Sequence, residues 1–220
     1  NNGAHVIMIT SANPGSGKTF IAINTASVLA IKDKRVAVID LDLRKGSISS
    51  FVGTPSVGVS AYLSGHATLL DIMRKVTVKD KNNEDTDITF DLIPAGAIPP
   101  NPAELLYSPR LKTLLDTLRK DYDYIIVDCP PVEVVADAKI INRHADLTIF
   151  VIRAGLLERE MLPSIQQFYD NQRYHNMAIV LNGSDDTKIA GLGSRYGYGY
   201  GYGYGYGYGK NGEHHHHHKN

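Results

Sequence analysis

Short apolar runs alternate along this chain with stretches of helical periodicity, the arrangement expected of a mostly parallel central sheet with helices on both faces. The pattern predicts strands at about 5–10, 35–40, 89–93, 123–128, 146–152 and 177–182. Near-continuous runs such as Tyr124-Ile125-Ile126-Val127 suit strands buried on both sides. Helices are expected over 18–31, 68–75, 108–120, 134–142 and 158–173. Between these elements, Lys79-Asp80-Lys81-Asn82-Asn83-Glu84-Asp85 reads as a solvated loop. Pro94 to Pro102, with four prolines, reads as a stiff connection outside the sheet. From Gly191 the pattern stops, and Tyr196 to Gly209 is strict Tyr-Gly alternation. Glycine at every second position raises the entropy lost on ordering and supplies nothing to pack, so a disordered tail is expected over 191–220, behind a folded domain over 1–190.

Composition narrows the class. About 190 foldable residues suffice for one α/β domain with a sizeable core. Lys+Arg and Asp+Glu both number 23, so the net charge is zero and nothing argues for a nucleic-acid surface. The single cysteine, Cys129, excludes an internal disulfide framework and fits a reducing compartment. No apolar run approaches the roughly 18 residues that a membrane span needs, and no signal peptide is visible. The chain lacks an initiator Met and opens directly into its first strand, so it is expected to be a catalytic piece of something longer, with room for a membrane anchor elsewhere. His214 to His218 is either a purification tag or a metal-avid tract and carries no fold information.

The chemistry starts at Ala12-Asn13-Pro14-Gly15-Ser16-Gly17-Lys18-Thr19, between the apolar run Val6-Ile7-Met8-Ile9 and the helical pattern that opens at Phe20. A strand, a Gly-rich loop and a helix N-terminus in that order form a phosphate cradle, the P-loop. Its backbone N–H groups face phosphate oxygens, Lys18 neutralises the β- and γ-phosphates of ATP, and the Thr19 hydroxyl holds Mg2+. The general pattern begins with Gly, where this chain has Ala12. The next strand, Val36-Ala37-Val38-Ile39, runs into Asp40-Leu41-Asp42-Leu43-Arg44-Lys45-Gly46. Ligands of open α/β sheets bind at the C-terminal ends of strands, which is where Asp40 and Asp42 stand. Two carboxylates beside Mg·ATP can orient the waters of the metal and accept a proton from an incoming hydroxyl. Arg44, planar and permanently charged, suits phosphate contact or transition-state stabilisation. A third apolar strand ends in Asp128-Cys129-Pro130-Pro131, the usual setting of a Walker B carboxylate. Cys129 has no accompanying histidine pattern and reads as a small buried residue.

These elements and the tail together resemble the bacterial tyrosine kinases of capsule and exopolysaccharide assembly. Asn13-Pro14-Gly15-Ser16-Gly17-Lys18-Thr19 is similar to their Walker A, and Asp128-Cys129-Pro130-Pro131 to their Walker B. Val38-Ile39-Asp40-Leu41-Asp42-Leu43-Arg44-Lys45-Gly46 is similar to the Walker A′ that separates them from other P-loop ATPases. Asp91-Leu92-Ile93-Pro94-Ala95-Gly96 and Pro99-Pro100-Asn101-Pro102-Ala103-Glu104-Leu105-Leu106 also resemble stretches of that family. The resemblance implies that Pro14 to Phe20 bind the phosphates, with Thr19, Asp42 and Asp128 organising Mg2+. Asp40 becomes the leading candidate for accepting the tyrosine proton. Arg153 is then placed to reach the phosphates and Asn182 to contact adenine. Ser47 stands where many members carry a switch tyrosine, and the upstream ring-forming Glu-x-x-Arg-x-x-Arg motif is absent from these residues.

The same resemblance gives the tail a role. Tyr196, Tyr198, Tyr200, Tyr202, Tyr204, Tyr206 and Tyr208 match the family's C-terminal phosphoacceptor cluster, modified by neighbouring protomers. A flexible segment over 191–209 has an r.m.s. span of roughly 24 Å, and roughly 65 Å when stretched. That reaches an adjacent site and raises the local acceptor concentration towards millimolar. Full phosphorylation would add about −10 to −14 charge, which favours dissociation of an assembly. The implied partners are neighbouring kinase protomers, a membrane polysaccharide co-polymerase or activator domain, and a tyrosine phosphatase. The implied location is the cytoplasmic side of the inner membrane. The rival assignment is a partitioning or cell-division-type P-loop ATPase, which usually carries a second lysine where this chain has Asn13 and lacks a tyrosine tail.

Overall fold

The computed structural model describes residues 5–184 apart from 54, 81–82 and 133–136, and the side chains of 50, 80 and 83–86 also lie outside the description. The tail expected over 191–220 lies wholly outside the described residues. In chain order the strands are β1 (His5–Ser11), β2 (Val36–Asp40), β3 (Arg74–Asp80), β4 (Asn83–Ile93), β5 (Tyr124–Asp128), β6 (Leu147–Arg153) and β7 (Met177–Asn182). The helices are α1 (Lys18–Ile31), α2 (Val59–Leu63), α3 (Leu69–Ile72), α4 (Pro102–Tyr107), α5 (Pro109–Asp121), α6 (Asp137–Asn142) and α7 (Leu162–Asp170). A 3-10 turn, Ser47–Val52, follows β2.

All strands join one sheet in the order β3-β4-β2-β5-β1-β6-β7, parallel throughout except for the β3–β4 pair. Alternating side chains serve two cores. Val6 and Met8 of β1 pack under α2, α4 and α5 with Leu63, Leu106, Leu111 and Leu115. Ile7 and Ile9 pack on the other side with Ala22, Ile23 and Ala26 of α1. This period of two, apolar on both faces, is what a central parallel strand requires. The helix α1 can lie close to the sheet because its inward face is partly alanine.

Three expectations need correction. The helix expected over 68–75 stops at Ile72, and Arg74 to Asp80 form an edge strand. Val76 and Val78 pack against the core while Lys75, Thr77 and Lys79 alternate with them, a half-buried strand pattern. The loop expected over Lys79 to Asp85 is largely a continuation of this antiparallel pair, with Lys79 bonded to Asp87 at 2.7 Å. Charges on an edge strand face water, and that polarity resembles a loop. Pro102, expected to end a stiff connection, instead opens α4, where its missing N–H costs nothing.

Two glycines decide how the loop after β4 seats. A Cβ on Gly58 would lie 2.2 Å from the Pro94 carbonyl oxygen and 2.5 Å from the Gly96 nitrogen. Their backbones are joined by Val59 N–H to Pro94 O, 2.8 Å, and Ser60 N–H to Ala95 O, 2.9 Å. This seam holds the segment after β4 against α2.

Candidate nucleotide site

The P-loop lies between β1 and α1 as its sequence predicts. Gly15 and Gly17 have φ of +78° and +93°, which L side chains rarely adopt. Ala12 is buried and has no positive φ, so its turn does not require the glycine of the general pattern. The Asn13 carbonyl accepts from both Ser11 Oγ (2.7 Å) and Ser16 Oγ (2.8 Å), tying the two ends of the loop together. Arg153 Nη1 donates to Gly15 O at 2.8 Å, and Asn182 Nδ2 donates to Ser16 O at 2.9 Å. With those carbonyls engaged, the N–H groups of Gly15, Ser16 and Gly17 make no hydrogen bond among the described residues. Such donors at a helix N-terminus form an anion seat.

Lys18 opens α1 and is nearly buried, at 9% exposure. The Thr19 hydroxyl donates to Asp128 Oδ2 at 2.6 Å. Asp128 ends β5, and the register of β2 and β5 sets Asp40 opposite it. Asp42 follows two residues later, so the three carboxylates gather at the same end of adjacent strands. Asp40 is fully buried, and its two oxygens accept from the N–H of Asp42 (3.1 Å) and of Ile48 (2.9 Å). Asp42 Oδ1 accepts from Lys45 N–H at 3.2 Å. Asp42, Arg44, Lys18, Pro14, Pro130 and Ser47 are among the residues lining a cavity of about 180 Å3. Asp40 does not line it.

Electrostatics mark the cluster. Burial, the repulsion of Asp128 and, less, that of Asp42 push the Asp40 carboxyl well above the usual range, against two backbone hydrogen bonds. Burial pushes Asp128 up to about 6, partly offset by the Thr19 hydroxyl and by Lys18. Among the described residues, Asp128 Oδ1 is buried without a hydrogen-bond partner. A lone carboxylate oxygen beside a threonine hydroxyl and Asp42 is a fitting donor set for a hard cation such as Mg2+. Among the described residues no three His, Cys, Asp or Glu side chains are grouped to hold a metal by themselves. A cation taken up with a nucleotide needs only one or two protein carboxylates.

The structure thus brings Lys18, Thr19, Asp40, Asp42 and Asp128 together, with Arg44 at the cavity. Arg153 and Asn182 meet the outer carbonyls of the P-loop and do not line the cavity. Phe20 is half-exposed on the first turn of α1. Cys129 is fully buried, its thiol pushed up chiefly by burial and next by Asp128. The tyrosines Tyr196 to Tyr208 lie outside the described residues. Lys45, Pro130 and Pro131, quoted above only as members of the A′ and Walker B stretches, also wall the cavity, and Asp137, a buried carboxylate bonded to Arg44 Nε at 3.0 Å, was not anticipated. Membership of those motifs could have found the first three, whereas Asp137 belongs to no motif.

A parallel sheet, a P-loop and a carboxylate at the end of the neighbouring strand define a P-loop nucleotide-binding domain. Consistently, residues 4–172 match the family described as AAA domain. The chain is 35% identical over 200 residues to a putative tyrosine-protein kinase EpsB of Ralstonia solanacearum, covering 89% of this chain and 25% of that protein. It superposes on the kinase domain of the Escherichia coli tyrosine kinase ETK with a TM-score of 0.71 and 34% identity, covering 91% of this chain and 72% of that one. The chain belongs to the catalytic domains of the bacterial tyrosine kinases. It spans about a quarter of the length of the curated relatives it matches. A putative plasmid partition protein of Borrelia burgdorferi bound to AMPPNP shares the fold alone, at 23% identity, a TM-score of 0.59 and 88% and 82% coverage. No helix among the described residues is long and apolar enough to cross a membrane.

Proposed function

We propose that this domain is an ATP- and Mg2+-dependent protein-tyrosine autokinase that phosphorylates the tail tyrosines Tyr196 to Tyr208 of a neighbouring protomer. The observation that carries the reading is the contact of Thr19 with Asp128 beside Lys18, with Asp42 at a cavity open to the P-loop. The P-loop amides and Lys18 seat the triphosphate. Thr19, Asp42 and Asp128 would hold Mg2+, which when bound neutralises charge on the β- and γ-phosphates. The phenol oxygen of a tyrosine attacks the γ-phosphorus, the bond to the ADP oxygen breaks, and the phenol proton passes to a carboxylate. Asp42 lines the cavity, which supports it as the first acceptor of that proton. Asp40, capped on both oxygens by backbone N–H groups, fixes the segment from Asp42 to Ile48. Asn182 retains its carbonyl oxygen for the adenine amino group, and Arg153 reinforces the loop from outside.

In the whole protein this activity would act at the cytoplasmic face of the inner membrane, with an activator or co-polymerase domain and an opposing phosphatase, in exopolysaccharide or capsule export. Incubation with γ-labelled ATP, followed by mass spectrometry of the tail, tests the reading. Label on Tyr196 to Tyr208 that disappears with Lys18→Met supports it. ATP hydrolysis with no label on the chain would instead favour the partitioning-type ATPase.

A further inference from the structure

We infer that Asp137 is a positioning residue for phosphoryl transfer, acting through Arg44; this rests on the kinase reading above. Asp137 is the first residue of α6, 2% exposed, and lies on the far side of the sequence from the A′ segment. Its Oδ2 accepts from Arg44 Nε at 3.0 Å. Anchoring by Nε fixes the plane of the guanidinium while leaving both Nη groups uncommitted among the described residues. Arg44 shares the cavity wall with Lys18 and Asp42, so those Nη donors are offered where phosphate charge would develop.

The asymmetry of the pair supports a directing role over a stabilising one. Arg44 keeps 40% of its side chain exposed, so it does not need Asp137 for solvation. Asp137, by contrast, is buried with its Oδ1 unpartnered among the described residues. A half-satisfied buried carboxylate is costly to keep. What it gives in return is one orientation of a long side chain that would otherwise sample many rotamers above the cavity.

The test is a double-mutant cycle in the full chain, with Asp137→Asn and Arg44→Ala alone and together. Initial rates of tyrosine labelling are measured against ATP concentration. Asn keeps an oxygen for Nε but removes the charge that holds it, so Asp137→Asn should lower kcat about ten-fold with KM for ATP shifting less than about three-fold. In the Arg44→Ala background the same change should cost less than about two-fold. It should also raise the melting temperature there, because Asp137 has lost its counter-ion. Equal losses in both backgrounds, or a kcat unchanged by Asp137→Asn, overturn the inference. If the unmutated chain transfers no label, the kinase reading fails instead. The cycle is then read on the affinity of a fluorescent ATP analogue, where an Asp137→Asn effect independent of Arg44 would still refute the pairing.

Discussion

Replacing Asp128 by asparagine should stabilise the nucleotide-free protein at neutral and alkaline pH while disabling its site. The carboxyl titrates near an ordinary 3.8 in the unfolded chain and at about 6 in the folded one, because burial penalises its charge. A folded value raised above the unfolded one means that the associated stability is fully present below about pH 4. It is lost as pH rises through about 6, since the unfolded chain ionises first. The full difference corresponds to about 3 kcal/mol. Asparagine removes that penalty and keeps an oxygen for the Thr19 hydroxyl, but its new amide must find an acceptor among the neighbouring carboxylates. A net gain of roughly 1–3 kcal/mol at pH 8 is therefore expected, which is a rise of a few degrees in melting temperature for a domain of this size. Melting curves for both proteins between pH 4 and pH 8, without nucleotide, read it directly. The curves should meet at the acid end and separate as pH rises. A gap that stays constant with pH, or a mutant less stable at pH 8, would refute the burial argument for this carboxylate.

Other perturbations address separate parts of the account. Gly58→Ala drives a Cβ to 2.2 Å from the Pro94 oxygen and should cost about 2 kcal/mol or more, seen as a lower denaturation midpoint. Asn182→Ala removes the bond to Ser16 O and should weaken binding of a fluorescent ATP analogue about ten-fold without lowering the melting temperature appreciably. Gly17→Ala combines a φ of +93° with a Cβ only 2.2 Å from Asn182 Nδ2. Nucleotide affinity should fall by more than about a hundred-fold, and adding Asn182→Ala should restore little of it, because the backbone strain remains.

The parts of the fold legible in the sequence are those where local pattern and burial agree. β1, β2, β5, β6 and β7 are apolar runs whose ends lie within a residue or two of the expected ones. α1 coincides with its expectation because the P-loop fixes its start at Lys18. The edge strand β3 was hidden, since Arg74, Lys75, Lys79 and Asp80 make it look like a helix end followed by a loop, and its pairing with β4 is what turns the short Val76–Val78 alternation into a strand. In the site, the placement of the motif residues Lys18, Thr19, Asp42 and Asp128 at one end of the sheet could be anticipated from their motifs. The division between Asp40 and Asp42 could not, because it depends on how Leu41 and Asp42 leave the strand and on Ile48 returning to cap Asp40. Nor could the Arg44–Asp137 pair, which joins residues 93 positions apart through tertiary packing alone.

The proposed convergence of Asp42 and Asp128 on one Mg2+-bound triphosphate above Lys18 is tested most directly by calorimetric titration with a non-hydrolysable ATP analogue, with and without Mg2+. The unmutated chain should bind about a hundred-fold more tightly when Mg2+ is present, a gain of roughly 3 kcal/mol. Asp128→Asn should lose nearly all of that gain yet keep the metal-free affinity set by Lys18 and the P-loop amides. A mutant that retains the full Mg2+ dependence would contradict the account.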